Sequence, residues 1–291
     1  LNDKGVRVGW RLLIYATFVA GLGFGGLVVL QQLVGPTRGV FSLDYWFPYE
    51  ALCFAVVFGA ALIMAQIEGC SPGVYGLPLR GAFGKLFWQG CSIGLVEVSA
   101  LVGLIAAFGG YSFGEIALHG KELLRWGMLW AFLFVFVGLF EEFLFRGYTQ
   151  YTLAESVGFW PAAIILSLLF GCVHLNNPGE NWVGVAGVVV IGLIFALALR
   201  RTGNLWLVVG WHASFDFGET FLYSVPNSGI LFQGHLSNAS LHGPNWMTGG
   251  SAGPEGSVFS FLTMGILAFA VHLLFPAKKT ENAQKERNQT I

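Results

Sequence analysis

Gly138-Leu139-Phe140-Glu141-Glu142-Phe143-Leu144-Phe145-Arg146 sets two carboxylates and a guanidinium inside an otherwise apolar run. An ionised side chain at the centre of a bilayer costs about 2.5–3.5 kcal/mol on insertion scales. A membrane helix carries three of them so close together only if they pair, face a cavity or do chemistry. Spacing sorts the three. Glu142 and Arg146 stand four apart with the acid first, so they share a helix face and can pair. Glu141 is turned by about 100° from Glu142 and has no basic partner on its own face. The first two read as a structural ion pair, and Glu141 as a group with work to do.

Composition agrees with a membrane setting. The 291 residues are 55% hydrophobic and only 11% charged, whereas a soluble domain is about 25% charged. A net charge of -1 and the lack of a basic tract give no purchase for nucleic acid. Cys53, Cys91 and Cys172 fall in apolar stretches and Cys70 beside one, with no CxxC spacing. They read as free thiols and not as a disulfide or zinc framework. The 41 dispersed glycines fit close helix packing in lipid.

Eight apolar stretches are long enough to cross a hydrocarbon core of about 30 Å. They run near 8–30, 47–67, 86–108, 123 into the glutamate segment, 158–175, 182–199, 204–223 and 258–275. The first has no small-residue cleavage site and reads as a retained span. The expected fold is therefore an all-α, polytopic membrane helical bundle of about eight transmembrane helices. It forms a single domain over 1–275, and the spans interrupted by paired or grouped polar residues lie at about 123–223. Residues 276–291 read as a polar, disordered cytoplasmic tail. With both termini cytoplasmic, the inner segments hold Lys4, Arg7, Arg11, Arg80, Lys85, Arg200, Arg201, Lys278, Lys279, Lys285 and Arg287. The outer segments hold only Arg38, Lys121 and Arg125, the asymmetry that sets membrane orientation. The outer loop 224–257, rich in Gly, Ser and Asn, carries His235 and His242 and reads as a flexible connection, with a cap on the outer face as the alternative.

Other spans supply partners for Glu141. The fifth ends Phe170-Gly-Cys-Val-His174, with Phe170 and His174 on one face; the seventh carries His212, Asp216 and Glu219 at i, i+4 and i+7. A solvated helix end accounts for Glu219 but not for His212 and Asp216, which are flanked by Trp and Phe. Depth gives a further test. If the fourth helix continues through Gly147 to Leu153, Glu141 lies about 18 Å above its inner end. His174, His212 and Asp216 then lie about 21, 12 and 18 Å above theirs, at 1.5 Å per residue. The four groups share a layer near mid-membrane, at the cost of an unusually long fourth helix. Ser214 and Cys172 do not share a face with His212 or His174, which argues against a serine or cysteine nucleophile. Glu97, at a similar depth in the third span, reads as a hydrogen-bonded packing residue or as a cavity wall.

These residues resemble the CAAX prenyl endopeptidase and bacteriocin-processing (CPBP) group of intramembrane proteases. Its motifs are EExxxR, FxxxH, and HxxxN or HxxxD on successive motif helices. Here they read Glu141-Glu142-Phe-Leu-Phe-Arg146, Phe170-Gly-Cys-Val-His174 and His212-Ala-Ser-Phe-Asp216, in order and within about 123–223. The resemblance implies an endopeptidase cutting near the C-terminus of a lipidated (CAAX-type) or membrane-bound peptide. Glu141 would activate water with help from His174. His212 and residue 216 would polarise the carbonyl or bind its oxyanion, with Glu142, Arg146 and Phe170 in support. Prenyl endopeptidases commonly carry Asn at the last position; Asp216 donates a hydrogen bond only when protonated.

The chemistry also stands on the residues. Peptide hydrolysis needs a water, a base and an oxyanion stabiliser, and a desolvated Glu141 beside a second carboxylate suits the base. A zinc ion held by Glu141, His174 and His212 is the mechanistic rival, though HExxH is missing; the favoured reading needs no cofactor. A proton-coupled transporter or a non-catalytic scaffold or immunity protein would also place acids and imidazoles in a membrane. No inverted repeat supports transport. The expected partners are the bilayer and the peptide, and short loops suggest a prokaryotic inner membrane.

Overall fold

The computed structural model describes residues 6–35 and 43–276, with side chains from 45 onward in the second stretch. The helices described are α1 (Val8–Val34), α2 (Leu43–Glu68), α3 (Lys85–Ala107), α4 (Gly120–Arg146), α5 (Tyr148–Val157), α6 (Phe159–His174), α7 (Trp182–Thr202), α8 (Trp206–Phe217), the short α9 (Asn245–Thr248) and α10 (Val258–Leu274). Each of the eight expected spans holds a helix. Five helical segments are long and apolar enough to cross a membrane, and α6 and α10 are shorter apolar helices. The tail expected at 276–291 lies outside the described residues beyond Pro276, as do Lys4, Arg38 and the four basic residues near the C-terminus.

The fourth span differs from its expectation. Helical structure does run from Gly120 to Val157, but it breaks at Gly147 into α4 and α5. A Cβ at position 147 would lie 2.4 Å from the Phe143 carbonyl oxygen, so the chain turns there only because the side chain is missing. Beyond the break α5 packs on α6 and α1. The depth of Glu141 therefore cannot be counted along one straight axis from Leu153.

α8 is the central helix. Leu205, Leu207, Val208, Val209 and Trp211 are fully buried, although the surroundings would be lipid. Lipid gives apolar helices no hydrophobic reason to associate, so close backbone contact must do so. Small residues permit it: a Cβ at Gly90 or Gly94 of α3 would fall 1.9 Å from Leu207 O or 2.3 Å from Trp211 O. α4 closes on another side, where Gly138 faces Val209 O. α1 is peripheral, with Trp10, Phe24 and Leu33 exposed on its surface. It is tied at one end by Arg11, whose Nε and Nη2 donate to Glu68 at 2.9 and 2.8 Å and which also pairs with Glu155. The Tyr148 and Tyr75 hydroxyls donate to the same Glu68 carboxylate at 2.6 and 3.1 Å. The start of α1, the end of α2 and α5 thus meet at one end of the bundle.

The loop 224–257 is not the loose connection expected from its composition. Ser240–Leu241 (β2) pairs antiparallel with Tyr111–Ser112 (β1). Trp130 Nε1 donates to Gly234 O at 3.0 Å, and Phe232 stacks on Trp46 with ring centroids 4.8 Å apart. Ser251 Oγ donates to Gly179 O at 2.8 Å. Aromatic contacts and backbone pairing, neither visible in a Gly/Ser/Asn count, fold the loop across one end of α4 and α8.

Candidate active site

Glu142 is the hub of the polar site. Its carboxylate is completely buried, and Oε1 lies 3.3 Å from Arg146 Nη1, the i, i+4 pair that spacing predicts. The guanidinium carbon sits 4.3 Å from the centroid of the Phe170 ring, a cation–π contact in a dry setting. Room for it comes from α7: a Cβ at Gly192 would lie 2.4 Å from Arg146 Nη2 and 2.9 Å from Ser167 Oγ. Glu142 does more than balance this charge. His212 Nδ1 donates to the same Oε1 at 2.9 Å, a bond across helices that sequence spacing does not reveal.

That bond fixes the His212 ring. Its Nε2 then lies 3.4 Å from Asp216 Oδ2 and 3.7 Å from Glu141 Oε2. Both ring nitrogens face carboxylate oxygens, but only Nδ1 is hydrogen-bonded to one. Phe170 also packs beneath the second histidine, 4.7 Å from the His174 ring. His174 Nδ1 donates to Phe170 O at 2.8 Å, which leaves Nε2 as the acceptor. The expected convergence of Glu141, His174, His212 and Asp216 is present: all four line one cavity of about 420 Å³. Glu141 Oε2 has no hydrogen-bond partner there.

The loop 224–257 roofs this cavity with Asn227, Ser228, Ile230 and Phe232. Asn227 Nδ2 reaches Thr220 Oγ1 at 3.2 Å and Asp216 O at 3.4 Å, tying the roof to the end of α8. Sequence reasoning missed Asn227, since no periodic pattern marks a loop residue. It also missed Glu50 of α2, which is 7% exposed and lies on the cavity wall. The signal existed: Glu50 is an acid inside an apolar stretch, the same sign that picked out Glu97.

A second, smaller chamber of about 60 Å³ lies behind the site, shared by His174, His212 and Asp216 and walled by Glu97, Ser228 and Glu255. Glu97 satisfies both of its expected readings. It lines this chamber, and its Oε2 accepts from Trp211 Nε1 at 2.6 Å. Glu255, in the loop, accepts from the Ser228 backbone N–H at 2.5 Å. Burial, with Glu180 and Asp216 nearby, pushes its carboxyl up to about 8.

Glu219 departs from expectation. The helix does not end in solvent: residues Gly218–Leu222 form a π-helical turn, and Glu219 is fully buried. It lines neither chamber, although Asp216, Glu97 and Glu255 are its charged neighbours. Ser214 donates to Trp211 O and Cys172 is exposed, so neither joins the histidines. Among the described residues no three His, Cys, Asp or Glu side chains group as ligands of one ion. His174 and His212 each commit Nδ1 to a protein acceptor, the arrangement that leaves Nε2 as the nitrogen able to ligate a metal.

On the opposite side of the α4–α8 contact lies an apolar groove of about 830 Å³. Phe54 and Phe58 of α2, Trp88 of α3, Phe132 and Leu139 of α4 and Ala213 of α8 line it. No sequence pattern announces it, because its walls belong to four different helices.

Residues 122–218 match the family model described as type II CAAX prenyl endopeptidase Rce1-like. The match spans α4 to the start of the π-helical turn and holds all three motifs, so the resemblance drawn from them is borne out there. No curated protein and no solved structure matches the chain.

Proposed function

We propose, with the Rce1-like family membership of the 122–218 segment as premise, that this protein is an intramembrane endopeptidase. It hydrolyses a peptide bond near the C-terminus of a lipidated, CAAX-type or membrane-bound peptide. The observation that carries this reading is the single cavity lined by Glu141, His174, His212 and Asp216 inside the matched segment. The reaction divides among them. Glu141, with an unpartnered oxygen in the cavity, takes a proton from water as its oxygen attacks the scissile carbonyl carbon. The water's other hydrogen is held by His174 Nε2. His212 Nε2–H meets the developing oxyanion, held in place by Glu142 behind the ring. Asp216 orients that nitrogen from the same helix. Glu141 then returns its proton to the leaving amine as the C–N bond breaks. No cofactor is needed for these steps.

Apolar walls that suit an isoprenoid or acyl chain stand on the far side of α4 and α8 from this cavity. The bilayer around α1 and the other exposed apolar faces is the medium from which such a chain enters.

The test is mass spectrometry of a farnesylated CAAX-type peptide incubated with the purified protein in detergent, beside Glu141→Gln. Release of the last three residues by wild type alone is the expected result. Cleavage by both proteins removes Glu141 as the base. Cleavage by neither removes prenylated peptides as substrate and favours a non-catalytic scaffold or immunity role.

A further inference from the structure

Glu50 takes no part in the steps above, yet it is placed with care. It is 7% exposed, and its Oε1 accepts from Trp46 Nε1 at 2.9 Å. Its Oε2 is buried without a partner. A carboxylate taken out of water with half its acceptor capacity unused is costly unless something arrives to use it. The cavity it faces holds three carboxylates, Glu50, Glu141 and Asp216, against two histidines, with no lysine or arginine on its described walls. Arg146, the base nearest Glu141 in sequence, is committed to Glu142 and Phe170.

The rings beside Glu50 complete a pattern. Tyr45 and Tyr49 stack with centroids 5.8 Å apart, and Trp46 stacks on Phe232 at 4.8 Å. All four line the cavity with Glu50. Aromatic faces around a desolvated acid attract an ammonium or guanidinium through both Coulomb and quadrupole terms, and they repel an anion. A metal ion would need more ligating side chains than are grouped here.

We infer that Glu50, with Tyr45, Trp46, Tyr49 and Phe232 around it, forms a subsite for a positively charged side chain of the substrate peptide, a lysine or an arginine. The inference rests on the endopeptidase reading for its ligand, a peptide, but not on turnover. The subsite sets which peptides are held, whereas Glu141 sets whether they are cut.

The experiment uses farnesylated peptides carrying lysine, norleucine or glutamate singly at each residue flanking the CAAX cleavage point. Binding to the detergent-solubilised full chain is followed by fluorescence anisotropy, and cleavage is followed separately by mass spectrometry. The expected result is one position at which lysine binds at least tenfold tighter than norleucine, with glutamate weakest. Glu50→Gln should erase that gain while still binding the norleucine peptide, and Glu50→Asp should keep part of it. Equal binding of the three residues at every position overturns the inference, as does a lysine gain that survives Glu50→Gln or no binding at all. If Glu50→Gln does not fold, the charge order on the wild type still decides. Binding in the expected order without cleavage sinks the endopeptidase reading and leaves the subsite standing.

Discussion

Glu142 Oε1 lies 2.9 Å from His212 Nδ1, so the acid that spacing assigns to Arg146 also holds the imidazole of another helix. One oxygen connects the fully buried guanidinium to the ring that faces the cavity. Glu141, its neighbour in sequence, meets the same ring from the other side through Nε2. The adjacent glutamates thus face opposite edges of one histidine, Glu142 bonded to it in the dry interior and Glu141 facing it from the cavity.

Removing either half of the buried pair should be costly. Glu142→Leu or Arg146→Met should each lose about 3–5 kcal/mol, since each strands a charge in the interior. Thermal unfolding in detergent should show the double variant to be more stable than either single one. Cleavage should not return with stability in the double variant, because His212 Nδ1 has lost its acceptor. Recovery of both together would show that Glu142 serves the fold alone.

Asp216 can be tested by what its replacement can donate. Asp216→Asn keeps a polar group beside His212 Nε2 and should retain cleavage to within about tenfold. Asp216→Leu removes the group that orients His212 Nε2, the proposed oxyanion donor, and should lose about 10²–10³ in kcat, the usual range when such a donor is lost. An asparagine variant as slow as the leucine one would point to the negative charge itself.

Glu97 and Trp211 give a prediction about packing. Glu97→Gln keeps an acceptor for the indole N–H and should unfold close to the wild-type temperature. Glu97→Leu leaves that buried donor unpaired and should cost about 1–3 kcal/mol. Equal Tm values for the two variants would remove the hydrogen bond as a stabilising element.

Glu255 makes a pH prediction for the roof. Its carboxyl is raised from the ordinary 4.5 to about 8 by burial and by Glu180 and Asp216. Between these values the folded protein binds more protons than the unfolded chain, so this group's contribution to stability falls as pH rises through 4.5–8. Wild type should therefore lose more thermal stability between pH 5 and pH 8 than Glu255→Gln does. Parallel curves for the two proteins would contradict the assignment.

The site was legible where polar residues interrupt apolar helices, because an acid or histidine in such a place needs a reason and i, i+4 spacing gives its face. Glu141, Glu142, Arg146, His174, His212 and Asp216 all come from that rule, and Phe170 from its place one turn before His174. It failed where geometry leaves the regular helix. The π-helical turn after Phe217 continues where composition suggests a solvated helix end, so Glu219 is buried. The turn at Gly147 replaces one long helix by two, and nothing in a hydropathy pattern separates it from the many glycines that merely pack. Asn227 and Phe232 reach the cavity through the folding of a loop, and Glu50 through the docking of α2 on α4, which are tertiary facts.

Gly192 shows how far from any functional group an inactivating change can fall. Its substitution by alanine adds one methyl, no charge and no polarity, on a helix that supplies none of the four proposed reacting residues. That methyl would occupy the place of Arg146 Nη2. Displacing the guanidinium would release Glu142, and with Glu142 the orientation of His212. A catalogue of sequence variants judged by chemical severity would rank this exchange among the mildest, yet inheritance of such a variant would be expected to resemble loss of the arginine.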